Sequence, residues 1–248
     1  MTDRLNLDQH ISREFNRELE ELRNNVLEMG GMVERQVASA VRALLESDVT
    51  LAREVVVADR EINQRELEID ETCHQILARR QPAATDLRLV IAILKTITDL
   101  ERIGDEAERI GRLTERSATA AKEEGDNSES TRKQQLACMG SHVQDQIREV
   151  LDGLARMDPR VAVSVARSDA RVDDAFDALM REYLTYMMEN PRRIQRMLEL
   201  SFAARSLERI GDHAKNIGEY LVYLVEGKDL RHLPLDAMEE ALGGGGHP

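Results

Sequence analysis

Aromatic residues are scarce in this sequence: Trp is absent, and Phe, Tyr and Trp together make up 3% of the chain. Strands and base-stacking surfaces are rich in aromatic side chains, so this scarcity argues against a β-sandwich and against a nucleic-acid stacking platform. The charge balance also argues against nucleic-acid binding. The chain has 34 Lys and Arg but 47 Asp and Glu, which gives a formal net charge of −13. Binding phosphates requires clustered Lys and Arg, so nucleic acid is a poor partner for this chain.

Long apolar runs, an export signal and a cysteine framework are also missing. The apolar stretch Leu89–Leu94 ends at Lys95, well short of the ~18 residues that a membrane span needs. The N-terminal MTDRLNLDQH lacks the apolar core of a signal peptide. Cys73 and Cys138 are too few for a disulfide framework, and without an export signal they indicate reduced thiols. We therefore expect a cytoplasmic protein.

Proline is sparse and unevenly placed. Five prolines occur in 248 residues, and none lies between residues 83 and 158. Because proline breaks helix interiors, such stretches permit long helices. Apolar residues recur every three or four positions from Ile11 to Leu44, from Leu51 to Ile76 with one gap after Ile62, and from Leu89 to Ile110. This spacing predicts three long amphipathic helices, with Asp48 placed to cap the second.

The second half of the chain repeats the first. LERIGDEAERIG at residues 100–111 matches LERIGDHAKNIG at residues 207–218. Further matches pair Gln36 with Gln146 and Asp59 with Asp169. A duplicated three-helix unit predicts an all-α fold of two tandem antiparallel three-helix bundles.

The repeat also sets the predicted domain boundaries. Residues 1–118 form the first bundle, and residues 119–135, where the apolar stripe is lost and Ser, Thr, Gly and Asn appear, form a linker or a frayed helix end. Residues 136–227 form the second bundle. Residues 228–248 are polar, end in GGGGHP, and are predicted to be a loose tail.

Acidic and amide side chains at i and i+4 flank the apolar stripes of two helices in each half. If these helices pack antiparallel, each half has a seam of four oxygen-bearing side chains. The first seam comprises Asp59, Asn63, Glu101 and Asp105, and the second comprises Asp169, Asp173, Glu208 and Asp212. Gly104 lies between its seam and the apolar stripe, where a missing side chain lets a neighbouring helix come close.

Facing carboxylates repel each other and need a cation, arginine partners or water. Oxygen donors favour Mg²⁺, Mn²⁺, Ca²⁺ or iron over a thiolate-type zinc site. The seams therefore predict bound metal ions of the Fe, Mn, Mg or Zn group, with the identity left open. The alternative is that these carboxylates are solvated surface charges paired with Arg102, Arg109 and Arg209.

Other candidates for chemistry are weaker. Glu71 and His74 form one Glu-x-x-His, whereas ferritin-like di-iron sites need two. His213 follows Asp212 and is expected to be a surface histidine, with metal ligation as the alternative. Cys73 lies on an apolar stripe and is expected in the core. No phosphate-binding glycine loop after a strand, Ser/His/Asp set or CxxC occurs, so we predict no catalytic residues and no enzyme.

Taken together, several motifs resemble the PhoU family. They are HISREFNRELEELR near the N-terminus, EMGGMVE around Gly30, RRQPAATDLRLV from Arg79, LERIGD twice, and GKDLRHL near the C-terminus. The resemblance covers nearly the whole chain, from about Leu5 to Leu233. It implies tandem three-helix bundles, in agreement with the apolar periodicity.

The resemblance implies a function as well. PhoU proteins are cytoplasmic negative regulators of phosphate uptake and of the phosphate-starvation response. They couple the phosphate ABC transporter, through its ATP-binding subunit, to a phosphate-sensing histidine kinase, and they are commonly homodimers. Some bind metal clusters through Glu/Asp-x-x-x-Asp motifs, which map here onto Glu101/Asp105, Glu208/Asp212 and Asp169/Asp173. The first half departs from this pattern at Asn63, a neutral and weaker ligand, so the second half looks complete.

Two other functions stay open on the sequence alone. The carboxylate seams are compatible with a carboxylate-bridged metalloprotein that has oxidoreductase activity on oxygen. Long amphipathic helices are equally compatible with a structural helical scaffold. Oxygen consumption by iron-loaded protein would favour the first, and failure to capture the transporter ATPase or the kinase would favour the second.

Overall fold

The computed structural model describes residues 3–82, 84–120, 128–231 and 233–243, and these are helical with short connections. The elements are α1 (Asp3–Glu46), α2 (Val49–Arg80), α3 (Ala84–Ala120), α4 (Ser128–Arg156), α5 (Val161–Glu189), the 3₁₀ turn Pro191–Arg193, α6 (Ile194–Glu226) and α7 (Leu235–Gly243). No strand occurs among the described residues, which confirms the all-α prediction. None of the described helices is long and apolar enough to cross a membrane.

The helix ends follow the local sequence. Asp48 caps α2, because its carboxylate accepts hydrogen bonds from the backbone N–H groups of Thr50 at 2.9 Å and Leu51 at 3.0 Å. Gln81 ends α2 in the left-handed conformation, next to Pro82. Asn190 separates α5 from the 3₁₀ turn, where its side chain accepts from the N–H of Arg192 at 3.0 Å. The predicted breaks between helices therefore occur at proline and at capping residues.

The two three-helix bundles pack side by side around one apolar core. The most extensive helix contact joins α3 to α6, and a second contact joins α1 to α4. At the α1–α4 contact, a Cβ on Gly30 would lie 2.3 Å from a methyl carbon of Leu151. Fully buried side chains from both halves belong to the same cluster, among them Leu22, Met29, Ile62, Ile97, Ile103, Leu136, Met139 and Tyr183.

Two boundaries differ from the sequence prediction. Helix α4 begins at Ser128, so residues 128–135 of the predicted linker are helical. This segment is polar but contains neither proline nor glycine, and a long packed helix extends through such residues. Helix α3 reaches Ala120, and residues 121–127 lie outside the described part of the chain.

The predicted loose tail is partly folded. Helix α7 packs on α5, and its Met238 is buried with Leu230, Ala162 and Val222 in a small second cluster. Apolar residues at helical spacing within an otherwise polar segment explain this helix, and the Gly-rich composition after them concealed it. The last residues of the predicted tail, 244–248, lie outside the described part of the chain.

Candidate functional site

In the first seam, Asp59 of α2 is the most buried carboxylate, with 5% of its surface exposed. Its Oδ1 accepts a hydrogen bond from Nε2 of Gln36 on α1 at 3.2 Å. Its Oδ2 accepts from Nδ2 of Asn63, one turn along α2, at 2.9 Å. Gln36 Nε2 also reaches the carbonyl oxygen of Val55 at 3.3 Å. Asp59 is therefore fixed between α1 and α2 by amide donors.

Helix α3 brings Glu101 and Asp105 against this carboxylate. A Cβ on Gly104 would lie 3.2 Å from both Asp59 Oδ1 and Gln36 Oε1, so the glycine admits these two side chains close to the α3 backbone. The close approach expected at Gly104 is thus present. Burial raises the pKa of Asp59, Glu101 and Asp105, because a desolvated carboxylate favours its neutral form.

Repulsion within the first seam adds to these shifts. Asp105 further raises the pKa of Glu101, and Asp59 further raises the pKa of Asp105. Like charges a few ångströms apart disfavour simultaneous ionisation. The structure therefore places the predicted residues of the first half near one another, with an excess of negative charge.

The second seam repeats the same framework on α4, α5 and α6. Asp169 is 1% exposed, and a Cβ on Gly211 would lie 3.2 Å from its Oδ1 and 3.1 Å from Gln146 Oε1. Gln146 Nε2 donates to the carbonyl oxygen of Val165 at 3.4 Å. Burial raises the pKa of Asp173, Glu208 and Asp212. The internal duplication thus extends to side-chain geometry.

Two ion pairs distinguish the second seam. Lys215 of α6 donates to Asp169 Oδ2 at 2.8 Å, and Arg205 Nη1 lies 3.0 Å from Glu208 Oε1. The structure therefore supplies two cations from the chain itself in this half.

The surface-charge alternative required local arginine pairs, and two of the three arginines it invoked are engaged elsewhere. Arg109 Nη1 lies 3.3 Å from Glu106 Oε2, and Arg209 Nη1 lies 2.8 Å from Glu106 Oε1. Neither arginine pairs with a seam carboxylate in the described part of the chain. Glu106 itself is buried between α3 and α6, where it also accepts from Ser206 Oγ at 2.8 Å.

Across the described ranges, no group of three or more His, Cys, Asp and Glu side chains is gathered into a metal-ligand set. The chemistry of the seams nevertheless fits a hard cation, because the donors are all oxygens. Several buried seam oxygens also have no hydrogen-bond partner, namely Gln36 Oε1, Asn63 Oδ1, Gln146 Oε1, Asp169 Oδ1 and Glu208 Oε2.

Sequence reasoning missed three side chains of these seams. In the sequence, Gln36 and Gln146 stand out only as matching positions, and Lys215 carries no signal. A signal existed for the glutamines, because each flanks an apolar stripe at a repeated position. No such signal existed for Lys215, whose contact with Asp169 depends on how α5 and α6 pack.

The remaining candidates fall outside the seams. His213 is not a surface histidine: its Nδ1 lies 2.6 Å from Asp99 Oδ1 at the α3–α6 contact, with 13% of its side chain exposed. That helix contact could not be inferred from one helix alone. Glu71 and His74 are exposed, so the single Glu-x-x-His lies on the surface. Cys73 is buried, as expected, and burial raises the pKa of its thiol to about 12.

Comparison with known proteins identifies the family. Residues 26–114 and 136–221 match the PhoU domain. The chain is 50% identical over 240 residues to the phosphate-specific transport system accessory protein PhoU homolog of Pseudomonas aeruginosa, covering 97% of each. It is 44% identical over 242 residues to the accessory protein PhoU of Escherichia coli, covering 98% of each. These relatives are named as accessory proteins and not as enzymes, in agreement with the prediction of a non-enzymatic protein.

Solved structures give the same result. The crystal structure of PhoU from Pseudomonas aeruginosa matches with a TM-score of 0.81 and 48% identity, covering 86% of this chain and all of that one. The phosphate transport system regulatory protein PhoU from Streptococcus pneumoniae matches with a TM-score of 0.77 and 31% identity, covering 87% and 98%. The duplicated bundles, the repeated LERIGD motifs and these full-length matches agree, and the chain belongs to the PhoU family.

Proposed function

We propose that this protein is a cytoplasmic negative regulator of phosphate uptake and of the phosphate-starvation response. It acts as an adaptor between the phosphate ABC transporter, through its ATP-binding subunit, and a phosphate-sensing histidine kinase, and it works as a homodimer. The observation that carries this proposal is the identity of 44–50%, over nearly the whole chain, to proteins named as accessory to phosphate-specific transport.

An exposed apolar surface supports the adaptor role. Large apolar side chains are exposed at the end of α5 and at the start of α6, where α5 and α6 pack together. We call this set the α5–α6 patch; it comprises Leu184, Met188, Ile194, Leu198 and Phe202. Grouped exposed apolar residues are typical of protein interaction sites. Arg192 lies beside the patch in sequence and favours an acidic partner.

Metal binding by the seams is a second part of the proposal. The residues that would hold the ions are Asp59, Asn63, Glu101 and Asp105 in the first half and Asp169, Asp173, Glu208 and Asp212 in the second. A bound divalent or iron-type ion would supply positive charge to these closely spaced carboxylates, of which Asp59 and Asp169 are buried. The partnerless buried oxygens of both seams support this assignment.

A deletion tests the regulatory role. Removing the gene is expected to leave a phosphate-starvation reporter switched on in high phosphate, and returning this chain on a plasmid is expected to restore repression. A deletion strain that stays repressed in high phosphate contradicts the proposal. A repressed strain whose protein captures neither the transporter ATPase nor the kinase would favour the scaffold alternative.

A further inference from the structure

We infer that α7 occupies a docking site for a partner's helix and leaves that site when the partner binds. The site is the surface of α5 and α6 beneath α7. We call it the α7 site, and it comprises Ala162, Val163, Ala166, Arg167 and Val222. That a partner uses this site rests on the proposed adaptor role, because an adaptor between two proteins needs a binding surface besides the α5–α6 patch.

Few side chains hold α7 in place. Among the described side chains of this nine-residue helix, only Met238 is buried. Met238 belongs to the small cluster with Leu230, Ala162 and Val222, and no described side chain of α7 belongs to the main core. Isolated helices of this length are marginal in water. The helix therefore forms only while it is packed, and it can detach while the two bundles stay folded.

The polar contacts of α7 lie at the surface. Glu239 accepts a hydrogen bond from Nε of Arg167 at 2.8 Å, and 57% of the Arg167 side chain is exposed. Lys228 Nζ donates to the carbonyl oxygen of Ala241 at 3.3 Å, also at an exposed position. Exposed ion pairs contribute little to stability, but they discriminate between binding partners of opposite charge. Arg167 therefore favours an acidic helix without holding it tightly.

The internal duplication does not account for the α7 site. In the first half, Arg53 and Glu115 occupy the positions of Val163 and Val222, and they form an ion pair at 3.0 Å. The second half has two apolar side chains where the first half has this ion pair. Grouped apolar residues at a surface are typical of binding sites. Without α7, or another helix in its place, the apolar side chains of the α7 site would face water.

The sequence of α7 indicates the chemistry of the ligand. Its acidic residues lie at positions 236, 239 and 240, and Glu239 is the one that contacts Arg167. Its apolar residues recur at the three- and four-residue spacing of a helix that binds in a groove: Leu235, Met238, Ala241 and Leu242. The ligand is therefore a short amphipathic helix that places a carboxylate next to its apolar anchor. A partner helix with a larger anchor than Met238 buries more apolar surface and displaces α7.

A peptide added in trans tests the competition. The probe is a fluorescein-labelled peptide of residues 234–243, titrated into the full chain up to about 1 mM, the effective concentration that a short tether provides. Met238→Glu places a carboxylate in the apolar cluster and is expected to release α7. This variant is expected to bind the peptide at least about tenfold more tightly than the wild type, in which α7 occupies the site.

Ala166→Glu is the matched control. It introduces the same charge on the other side of the contact, so it also releases α7, but it damages the α7 site itself. We expect no binding of the peptide to this variant. Circular dichroism of both variants establishes that the bundles are folded.

Hydrogen exchange tests whether α7 opens by itself. In the wild type, the amides of α7 are expected to exchange at least about tenfold faster than the amides of α6. Met238→Glu is expected to accelerate exchange in α7 and to leave exchange in α6 unchanged beyond the residues that α7 covers.

Capture of partners tests the use of the site. Met238→Glu is expected to capture the transporter ATPase or the kinase about tenfold more strongly than the wild type, because α7 no longer competes. Ala166→Glu is expected to show no such gain. A role of α7 in stability alone predicts the same result for both variants, since both release the helix.

Four results would overturn the inference. They are equal peptide affinities of the wild type and Met238→Glu, no peptide binding to either at about 1 mM, α7 amides that exchange as slowly as those of α6, and capture of partners that Met238→Glu leaves unchanged. The adaptor role fails separately, because it is read from the phosphate-starvation reporter. A chain that binds the peptide as expected but does not repress the reporter contradicts only the proposed function.

Discussion

Gly111 lies where α3 meets the backbone of α2. A Cβ at this position would lie 2.9 Å from the carbonyl oxygen of Ala52. A backbone atom cannot relieve such a contact by changing rotamer, as a side chain can. Gly111→Ala is therefore expected to lower the free energy of unfolding by about 1–3 kcal/mol, measured by urea denaturation.

Gly31 provides the matched control. A Cβ there would meet only the guanidinium of Arg35, at the ordinary contact distance of 3.5 Å. Because alanine favours the helix over glycine, Gly31→Ala is expected to raise the free energy of unfolding, by up to about 1 kcal/mol. Equal effects of the two substitutions would contradict a specific close approach at Gly111.

The raised pKa values of Glu101 and Asp105 predict how stability depends on pH in chelated protein. A carboxyl group whose folded pKa is raised binds more protons in the folded state, so its ionisation costs stability as pH rises through that pKa. This loss of stability begins near the ordinary carboxyl pKa values, 4.5 for Glu and 3.8 for Asp, and continues as the pH rises above them.

Neutral substitutions test this dependence. Glu101→Gln/Asp105→Asn is expected to raise the free energy of unfolding at mildly alkaline pH, by about 0.5 kcal/mol. The gain is expected to shrink as the pH approaches the ordinary carboxyl range. Urea unfolding at both pH values in chelator measures this difference. If the gain in the free energy of unfolding instead grows as the pH is lowered, the ionised carboxylates stabilise the folded state, which contradicts the prediction.

At the scale of elements, α3 and α6 meet through buried polar side chains as well as apolar ones. Glu106 accepts from Ser206 at 2.8 Å and pairs with Arg209 at 2.8 Å. Glu106→Gln removes the charge that Arg209 faces and is expected to lower the free energy of unfolding by about 1–3 kcal/mol. Glu20→Gln, on an exposed part of α1, is expected to change it by less than about 0.5 kcal/mol.

The α5–α6 patch predicts a loss of function without a loss of folding. Met188 is 84% exposed and Phe202 is 57% exposed, so replacing them disturbs little of the core. Met188→Glu/Phe202→Glu is expected to derepress the phosphate-starvation reporter and to weaken capture of the kinase or the transporter ATPase. Leu67→Glu, at a 60% exposed position on α2, is the control. Repression by the double variant that equals the wild type would place the partner surface elsewhere.

At the scale of the whole molecule, the two bundles are not independent. They share one apolar core, and the α3–α6 contact is the most extensive in the structure. Residues 1–118 expressed alone would expose the α6-facing side of α3, including Asp99 and Glu106, which are buried in the full chain. Light scattering is expected to show association or aggregation of either half alone, and co-expression is expected to restore a one-to-one complex. Stable, well-folded monomeric halves would contradict a shared core.

Particular residues show how far sequence reasoning reaches. Asp48 was predictable as a cap because the signal is local, and Gly104 was predictable as a close-packing position because it recurs as Gly211. The role of His213 was predicted wrongly, and Lys215 was missed. In both cases the partner, Asp99 or Asp169, is on another helix. Helix periodicity shows which side of a helix is apolar, but it does not show which residues of two helices stand opposite one another.

The sequence by itself determined the helical class, the internal duplication, the positions of the seam carboxylates and the family. These properties depend on local periodicity, on capping residues and on repeated motifs, all of which can be read directly from the sequence. Only the tertiary structure decided that α3 and α6 join the bundles into one core, that α7 folds back on α5, and that Lys215 pairs with Asp169 in the second seam, whereas no ion pair among the described residues reaches a carboxylate of the first. Those outcomes depend on the rotation and relative height of packed helices, which arise from side-chain packing between segments far apart in the chain.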